Sequence, residues 1–160
     1  MSDLINYRLV YPDPREAEEN PTGGYVEVHI THHTHEAERN IQTAILLAKQ
    51  GFKVRLLPVD ATPGRKSPDA YFFRENFTVE FKHNLTPTRS AIQKAIKYAH
   101  RQARRMVLHV LSDVLRADLL AGIKSKFFFI SRWSTSGLSG KMSLSVAIVM
   151  KSSMVRLSVK

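Results

Sequence analysis

Apolar and polar positions alternate from Tyr25 to Ile30 (YVEVHI), a period of two that predicts a half-buried strand. The period then lengthens. Ala37, Ile41, Ala44, Ile45 and Ala48 recur at helical spacing, so a helix is expected from His35 to Gln50, with Thr34 as N-cap and Gly51 at its C-terminal end. FKVRLLPV reads as a second strand and DATPGRKSP as a turn-rich loop. Two short strands are expected at Asp69–Arg74 and Phe77–His83, joined by a two-residue turn at Glu75-Asn76. Thr86 and Pro87 have the chemistry of an N-cap and a first helical residue, and that helix should run to about Arg104. MVLHVL is an apolar strand, Asp113–Ile123 a shorter helix and KFFFI another strand. A serine-rich loop, SRWSTSGLSGKMS, then leads to two last strands near Leu144–Met150 and Val155–Val159. Residues 1–22 are acidic, contain proline and lack an apolar period, so they read as an arm. Residues 23–160 read as a single α/β domain, a mixed β-sheet with flanking helices.

Composition sets outer bounds. The 160 residues are 43% hydrophobic, enough for one domain with its own core. Cysteine is absent, which excludes disulfides and thiolate metal sites. No apolar run approaches the roughly 20 residues of a membrane span. MSDLINYRLVYPDP has neither a basic n-region nor a long apolar stretch, so no signal peptide is read. The expected location is a cytoplasm, the chain's own or that of a target cell into which it is delivered. Charge adds direction. Of a net +10, residues 82–160 carry fifteen basic and two acidic side chains, the electrostatic footprint of a polyanion partner such as nucleic acid. An acidic protein partner would satisfy the same imbalance.

The hairpin sorts its charges. With a turn at Glu75-Asn76 the pairs are Phe72–Val79, Tyr71–Glu80, Ala70–Phe81 and Asp69–Lys82. One face is then Ala70, Phe72, Val79 and Phe81, and the other holds Asp69, Tyr71, Glu80 and Lys82. Asp69 and Glu80 could hold a hard divalent cation, Mg²⁺ by preference, while Lys82 orients a water or neutralises charge at phosphorus. An internal salt bridge of Lys82 with Asp69 or Glu80 would account for the same spacing.

Pro68-Asp69 and Glu80-Phe81-Lys82, set in the order helix, strand, hairpin, helix, strand from Thr34 to Leu111, resemble the PD-(D/E)xK nuclease core. The stretch AILLAKQGFKVRLLP…GRKSPDAYFF…VEFK…SAIQKAIKYAHRQARRMVLHV is also similar to the C-terminal toxin nucleases of contact-dependent growth-inhibition proteins of the CdiA type. The first resemblance implies a restriction-endonuclease-like α-β-β-β-α-β core, here with extra strands. The second covers roughly residues 24–130. It implies cleavage of RNA, tRNA in many members, and an immunity protein as partner; such toxins include metal-dependent and metal-free folds.

Beyond the hairpin, Ile92, Ala95, Ile96, Ala99 and Ala103 gather on one side of the next helix. Lys94, Lys97, Arg101, Arg104 and Arg105 gather on the other, as a phosphate-tracking ridge or a solvated face. Thr88 and Arg89, in the first turn, and His83 are supporting site candidates, helped by amides that favour anions. HITHHTHE brings His29, His32, His33 and His35 together without the spacing of a helical metal site. His33 is the candidate there for proton transfer in a metal-free ribonuclease. Glu36 and Glu38 suit the helix dipole and could add a carboxylate. His109 reads as a core residue. Arg132 with Trp133 could stack on a base.

Overall fold

The computed structural model describes residues 6–12, 22–33, 35–59, 62, 67–102, 105–133, 145–150 and 153–158. Side chains are described except those of 100–102, 126–133 and, in the last two strands, all but Ile148. The chain forms two compact units, residues 1–79 and 80–160.

In the first unit the alternating stretch after Gly24 is strand β2 (Tyr25–His29), which pairs antiparallel with β1 (Tyr7–Tyr11). The acidic arm expected over residues 1–22 is therefore part strand: Tyr7-Arg8-Leu9-Val10-Tyr11 is too short to show a period but finds a partner edge. Helix α1 (Ala37–Ala48) crosses over to β3 (Lys53–Leu56), parallel to β2. β4 (Ala70–Phe72) then pairs antiparallel with β3 and with the start of β5 (Phe77–Asn84). Val26, Val28, Val54, Leu56, Ala70 and Phe72 form one buried sheet face, and Ala44, Leu47 and Ala48 of α1 are buried with them. Each valine, leucine or phenylalanine among them contributes about 1.5–3 kcal/mol if wholly removed from water.

The buried stripe of α1 is Asn40, Thr43, Ala44, Leu47 and Ala48, rotated from the one expected. Ile41 and Ile45 are half-buried at its margin, while two polar residues occupy its centre. Glu36 is the N-cap position and makes no side-chain cap; Thr34 lies outside the described residues. The glycine after the helix is as expected: Gly51 has φ +90° and its amide bonds the Ala48 carbonyl at 2.8 Å.

The hairpin differs from the two-residue turn. The register is Ala70↔Val79, Tyr71↔Thr78 and Phe72↔Phe77, leaving a four-residue loop, Phe73–Asn76. Asn76 takes the left-handed conformation (φ 54°), and its Oδ1 accepts from the Tyr71 hydroxyl at 2.6 Å. Glu75, which tolerates positive φ poorly, is spared it. The shift is two residues, so the expected sorting of Ala70, Phe72 and Val79 to one face survives.

The second unit holds the rest of β5, α2 (Arg89–Gln102), β6 (Arg105–Val110), α3 (Arg116–Trp133), β7 (Ser145–Met150) and β8 (Ser153–Ser158). β5, β6 and β7 are parallel neighbours, and β8 returns antiparallel to β7. The core gathers Ile92, Ile96 and Ala99 of α2, Val114, Leu119 and Ile123 of α3 and its approach, Met106, Leu108 and Val110 of β6, and Ile148. Ala103 lies outside the described residues. α2 starts two residues later than expected, and Thr88 is its cap, accepting from the Ala91 amide at 3.3 Å. Thr86-Pro87 precede that cap.

KFFFI is not a strand. It continues α3, whose backbone is helical to Trp133. A short apolar run fits either period, and propagating an existing helix is cheaper than starting a strand. α3 meets α2 at Gly122, where a Cβ would stand 2.9 Å from Ile92 Cγ2 and 3.2 Å from the Arg89 carbonyl oxygen. With three helices among the described residues and a mixed pattern of parallel and antiparallel strands, the class is α/β as expected.

His109 fits its reading as a core residue, being 3% exposed on β6 opposite His83, with ring centroids 5.9 Å apart. Burial, then the neighbouring His83 charge, lowers its pKa from 6.5 to about 4. The unfolded chain therefore takes up a proton there between pH 6.5 and 4 while the folded chain does not. Stability should fall across that window, by up to about 3 kcal/mol at 1.36 per unit. Urea unfolding midpoints against pH should flatten in His109→Leu relative to the parent.

Candidate functional site

Strand β5 delivers the charged residues. Along it Thr78, Glu80, Lys82 and Asn84 alternate with Phe77, Val79, Phe81 and His83. In the second unit the parallel register sets Glu80 opposite Met106 and Lys82 opposite Leu108, on the sheet face whose β6 residues pack with α2 and α3. Glu80 is thus buried, with 5% of its side chain exposed. Lys82 Nζ donates to Glu80 Oε1 at 2.6 Å and keeps 22% exposure. An ion taken out of water needs such a partner, or it costs several kcal/mol. The pair is therefore the salt bridge that the spacing allowed, and also a concentrated charge group with one end open to solvent.

Asp69, in the first unit, has a different setting. Asn40 Nδ2 donates to Asp69 Oδ1 at 3.4 Å and lies 3.2 Å from His32 Nε2. His32 Nδ1 is 2.6 Å from the Leu57 carbonyl oxygen, which can only accept. The ring proton is therefore on Nδ1, and Nε2 accepts from Asn40. Both residues are buried, and Asn40 Oδ1 has no hydrogen-bond partner among the described residues. The sequence pattern alone did not point to this chain from Leu57 through His32 and Asn40 to Asp69. His33, chosen from the cluster, is exposed, as is His35. The available signal was Asn40 itself, a polar residue three after Ala37 and four before Ala44.

The basic side of α2 borders an open cleft of about 550 Å³, lined by Thr86, Thr88, Ser90, Ala91, Gln93, Lys94 and Lys97. Lys94 and Lys97 are exposed, and the first turn of α2 has no acidic residue. Thr88 serves as the cap and Arg89 is exposed beside it. Arg105 belongs to β6 rather than to the helical ridge, because α2 stops at Gln102. Arg104 and the side chains of Arg101, Arg132 and Trp133 lie outside the described residues. Asn84, 3% exposed, ties the end of β5 to the loops before α2 and after β6. Its Nδ2 donates to the Thr86 carbonyl at 3.0 Å, and its Oδ1 accepts from Ser112 Oγ. Among the described residues no three His, Asp or Glu side chains group as a metal cage.

Neutralising Lys94, Lys97, Arg101 and Arg104 together to Gln is expected to weaken nucleic-acid binding without unfolding. Each lost phosphate contact should flatten the log–log salt dependence by about 0.7 for single strands. Affinity and salt slope equal to the parent's would make the ridge a solvated face only.

No protein-family model and no curated protein matches the chain. Among solved structures it is similar to the CdiA-CT/CdiI toxin and immunity complex from Burkholderia pseudomallei, with a TM-score of 0.53 and 22% identity. The match covers 78% of this chain and 85% of that one. A likeness at this identity is one of fold: the α/β arrangement described above occurs in a toxin–immunity complex. No helix among the described residues is long and apolar enough to cross a membrane.

Proposed function

We propose that the chain is a nuclease of the CdiA C-terminal toxin kind, with a PD-(D/E)xK-type centre, that cleaves RNA inside a target cell. The observation that carries the reading is the buried Glu80 carboxylate with the Lys82 ammonium 2.6 Å away, on the sheet face that packs against α2 and α3. The likeness of fold to a toxin–immunity complex supports it. That complex contains both partners, and a net charge of +10 suits the one that faces a polyanion. An acidic immunity protein would complement the same charge.

Within the second unit the roles divide by chemistry. Lys82 neutralises charge that builds on the phosphate oxygens. Lys94 and Lys97 hold backbone phosphates on either side, and the α2 amides favour the anion. Mg²⁺ is commonly held by one or two carboxylates, several waters and substrate phosphates, and Glu80 fits as one such carboxylate. A bound Mg²⁺ would supply phosphate polarisation and a more acidic water. Asp69 enters through its own variant: Asp69→Asn should reduce turnover more than RNA affinity.

The test is cleavage of mixed tRNA and of DNA, with Mg²⁺ or with excess EDTA. RNA cleavage that EDTA stops is the expected result. Cleavage that persists in EDTA removes the metal and leaves proton transfer and phosphate stabilisation to Lys82, His83, Arg89 and the N-terminal histidines such as His33, with Arg89 only stabilising the phosphate. If neither substrate is cut with metals supplied, the nuclease reading fails and a binding module remains.

A further inference from the structure

We propose that the sheet face of the first unit opposite α1 is a stacking platform for the unpaired bases of single-stranded nucleic acid. The inference rests on the nucleic-acid part of the function proposed above, but not on cleavage.

α1 packs on the face that carries Val26, Val28, Val54 and Leu56. The alternate residues point the other way: Tyr25 on β2, Lys53 and Arg55 on β3, and Tyr71 on β4. Phe73 extends this set, its amide bonded to the Lys53 carbonyl at 3.0 Å, and Tyr7 of β1 adjoins through His29. A sheet face left to water normally carries threonine and charged side chains. Here four large rings stay partly exposed instead.

Their arrangement suits bases. Tyr71 and Phe73 have ring centroids 5.3 Å apart at 84°, and Tyr25 and Phe73 are 5.7 Å apart at 47°. The rings are tilted rather than stacked on one another, and each stays partly exposed beside the cations of the same face, so ring surface remains for a guest. Sheet-borne aromatics are how RNA-binding sheets stack two or three splayed bases.

Cations are built into the same surface. The Arg55 guanidinium lies 4.2 Å from the Tyr7 centroid and 4.7 Å from that of Phe73, and Glu27 holds it at 2.7 Å. Lys53 Nζ stands 5.7 Å over Tyr25. Among the described residues Glu27 pairs with Arg55, and the Lys53 charge complements a phosphate between stacked bases. A duplex, with its bases already stacked, offers these rings no base face, only phosphates for Lys53.

The experiment uses the full chain and fluorescein-labelled 2′-O-methyl oligoadenylate, single-stranded or annealed into a duplex, with binding read by anisotropy. The expected result is preference for the single strand in the parent protein. Tyr71→Leu and Phe73→Leu should each lose roughly five- to a hundredfold of single-strand affinity and keep duplex affinity. Because Phe73 also packs on Arg55, thermal melting accompanies each variant, and Tyr25→Leu, away from that contact, provides a second reading. Equal binding of both forms by the parent, or unchanged single-strand affinity in Tyr71→Leu and Tyr25→Leu, overturns the platform. So does failure to bind oligoadenylate while an acidic protein partner is bound through these residues. The two readings fail separately: cleavage with indifferent platform variants sinks only the platform, and platform-dependent binding without cleavage sinks only the nuclease.

Discussion

Glu80→Gln is expected to abolish RNA cleavage while leaving RNA binding intact or stronger. The substitution keeps the side chain's size and an oxygen that Lys82 Nζ can still reach, so β5 and its 2.6 Å contact have a close replacement. It removes the negative charge that a divalent cation requires. It also removes repulsion toward an incoming phosphate, which is why affinity should not drop. Lewis-acid stabilisation is worth several kcal/mol, so the single-turnover rate should fall at least about a hundredfold at 1.4 kcal/mol per tenfold. Lys82→Ala should lose turnover as well, but it leaves Glu80 buried and without that ammonium, so its stability should suffer where that of Glu80→Gln does not. Single-turnover cleavage of tRNA in Mg²⁺ and in EDTA, beside equilibrium binding, decides the matter. A Glu80→Gln protein that cuts at the parent rate removes Glu80 from the chemistry.

Gly24→Ala should be among the most damaging substitutions outside the candidate site. A Cβ at residue 24 would lie 1.9 Å from the Ala48 carbonyl oxygen and 2.7 Å from its carbon. Those are backbone atoms at the end of α1, and the same oxygen already accepts from Thr22 Oγ1 at 3.1 Å and from the Gly51 amide. No rotamer relieves the overlap; β2 or α1 must move. Overpacking commonly costs about 1–3 kcal/mol, and a backbone obstacle belongs at or above the top of that range. In a chain of this size about 3 kcal/mol lowers the melting temperature by roughly 6–12 °C. Gly23→Ala is the control. Its Cβ would meet nothing within 4 Å, but φ is +67°, so only the left-handed penalty of about 1–2 kcal/mol applies. Equal losses in the two variants would mean that α1 yields easily.

Periodicity accounts for the parts of the fold that were legible in the sequence. The strand at Tyr25, the two helices over 37–102, the sorted hairpin and the apolar face of α2 all rest on repeated spacing, and burial enforces each. Misreadings fall where spacing is silent. KFFFI is five apolar residues, compatible with either period until a helix runs into it. The hairpin loop length turned on whether Glu75 or only Asn76 takes a positive φ, a matter of single-residue strain. Asn40 and His32 escaped because a polar residue in an apolar stripe looks like a gap in the pattern; only the fold brings Leu57 and Asp69 to them. Glu80 and Lys82 were legible as a pair, two apart on one strand. That their face of the sheet is covered by α2 and α3 was not, because it depends on which side the crossover after β5 takes.

The glycine at position 122 matters beyond packing. It lets α3 lie against Ile92 and the Arg89 carbonyl, while Gln93 Nε2 bonds Ser125 Oγ at 2.7 Å. α2 is therefore immobilised from its inner side, and its lysines project from a fixed axis. If a phosphate chain binds there as proposed, the helix itself loses little conformational freedom. Only the lysine stems are left to be ordered, at most about 2 kcal/mol of rotamer entropy each. On the proposed function Gly122 would preorganise the cleft from the inner side of α2, so loosening the helix pair with a larger side chain at 122 should leave the diffusional encounter unchanged and shorten the lifetime of the complex.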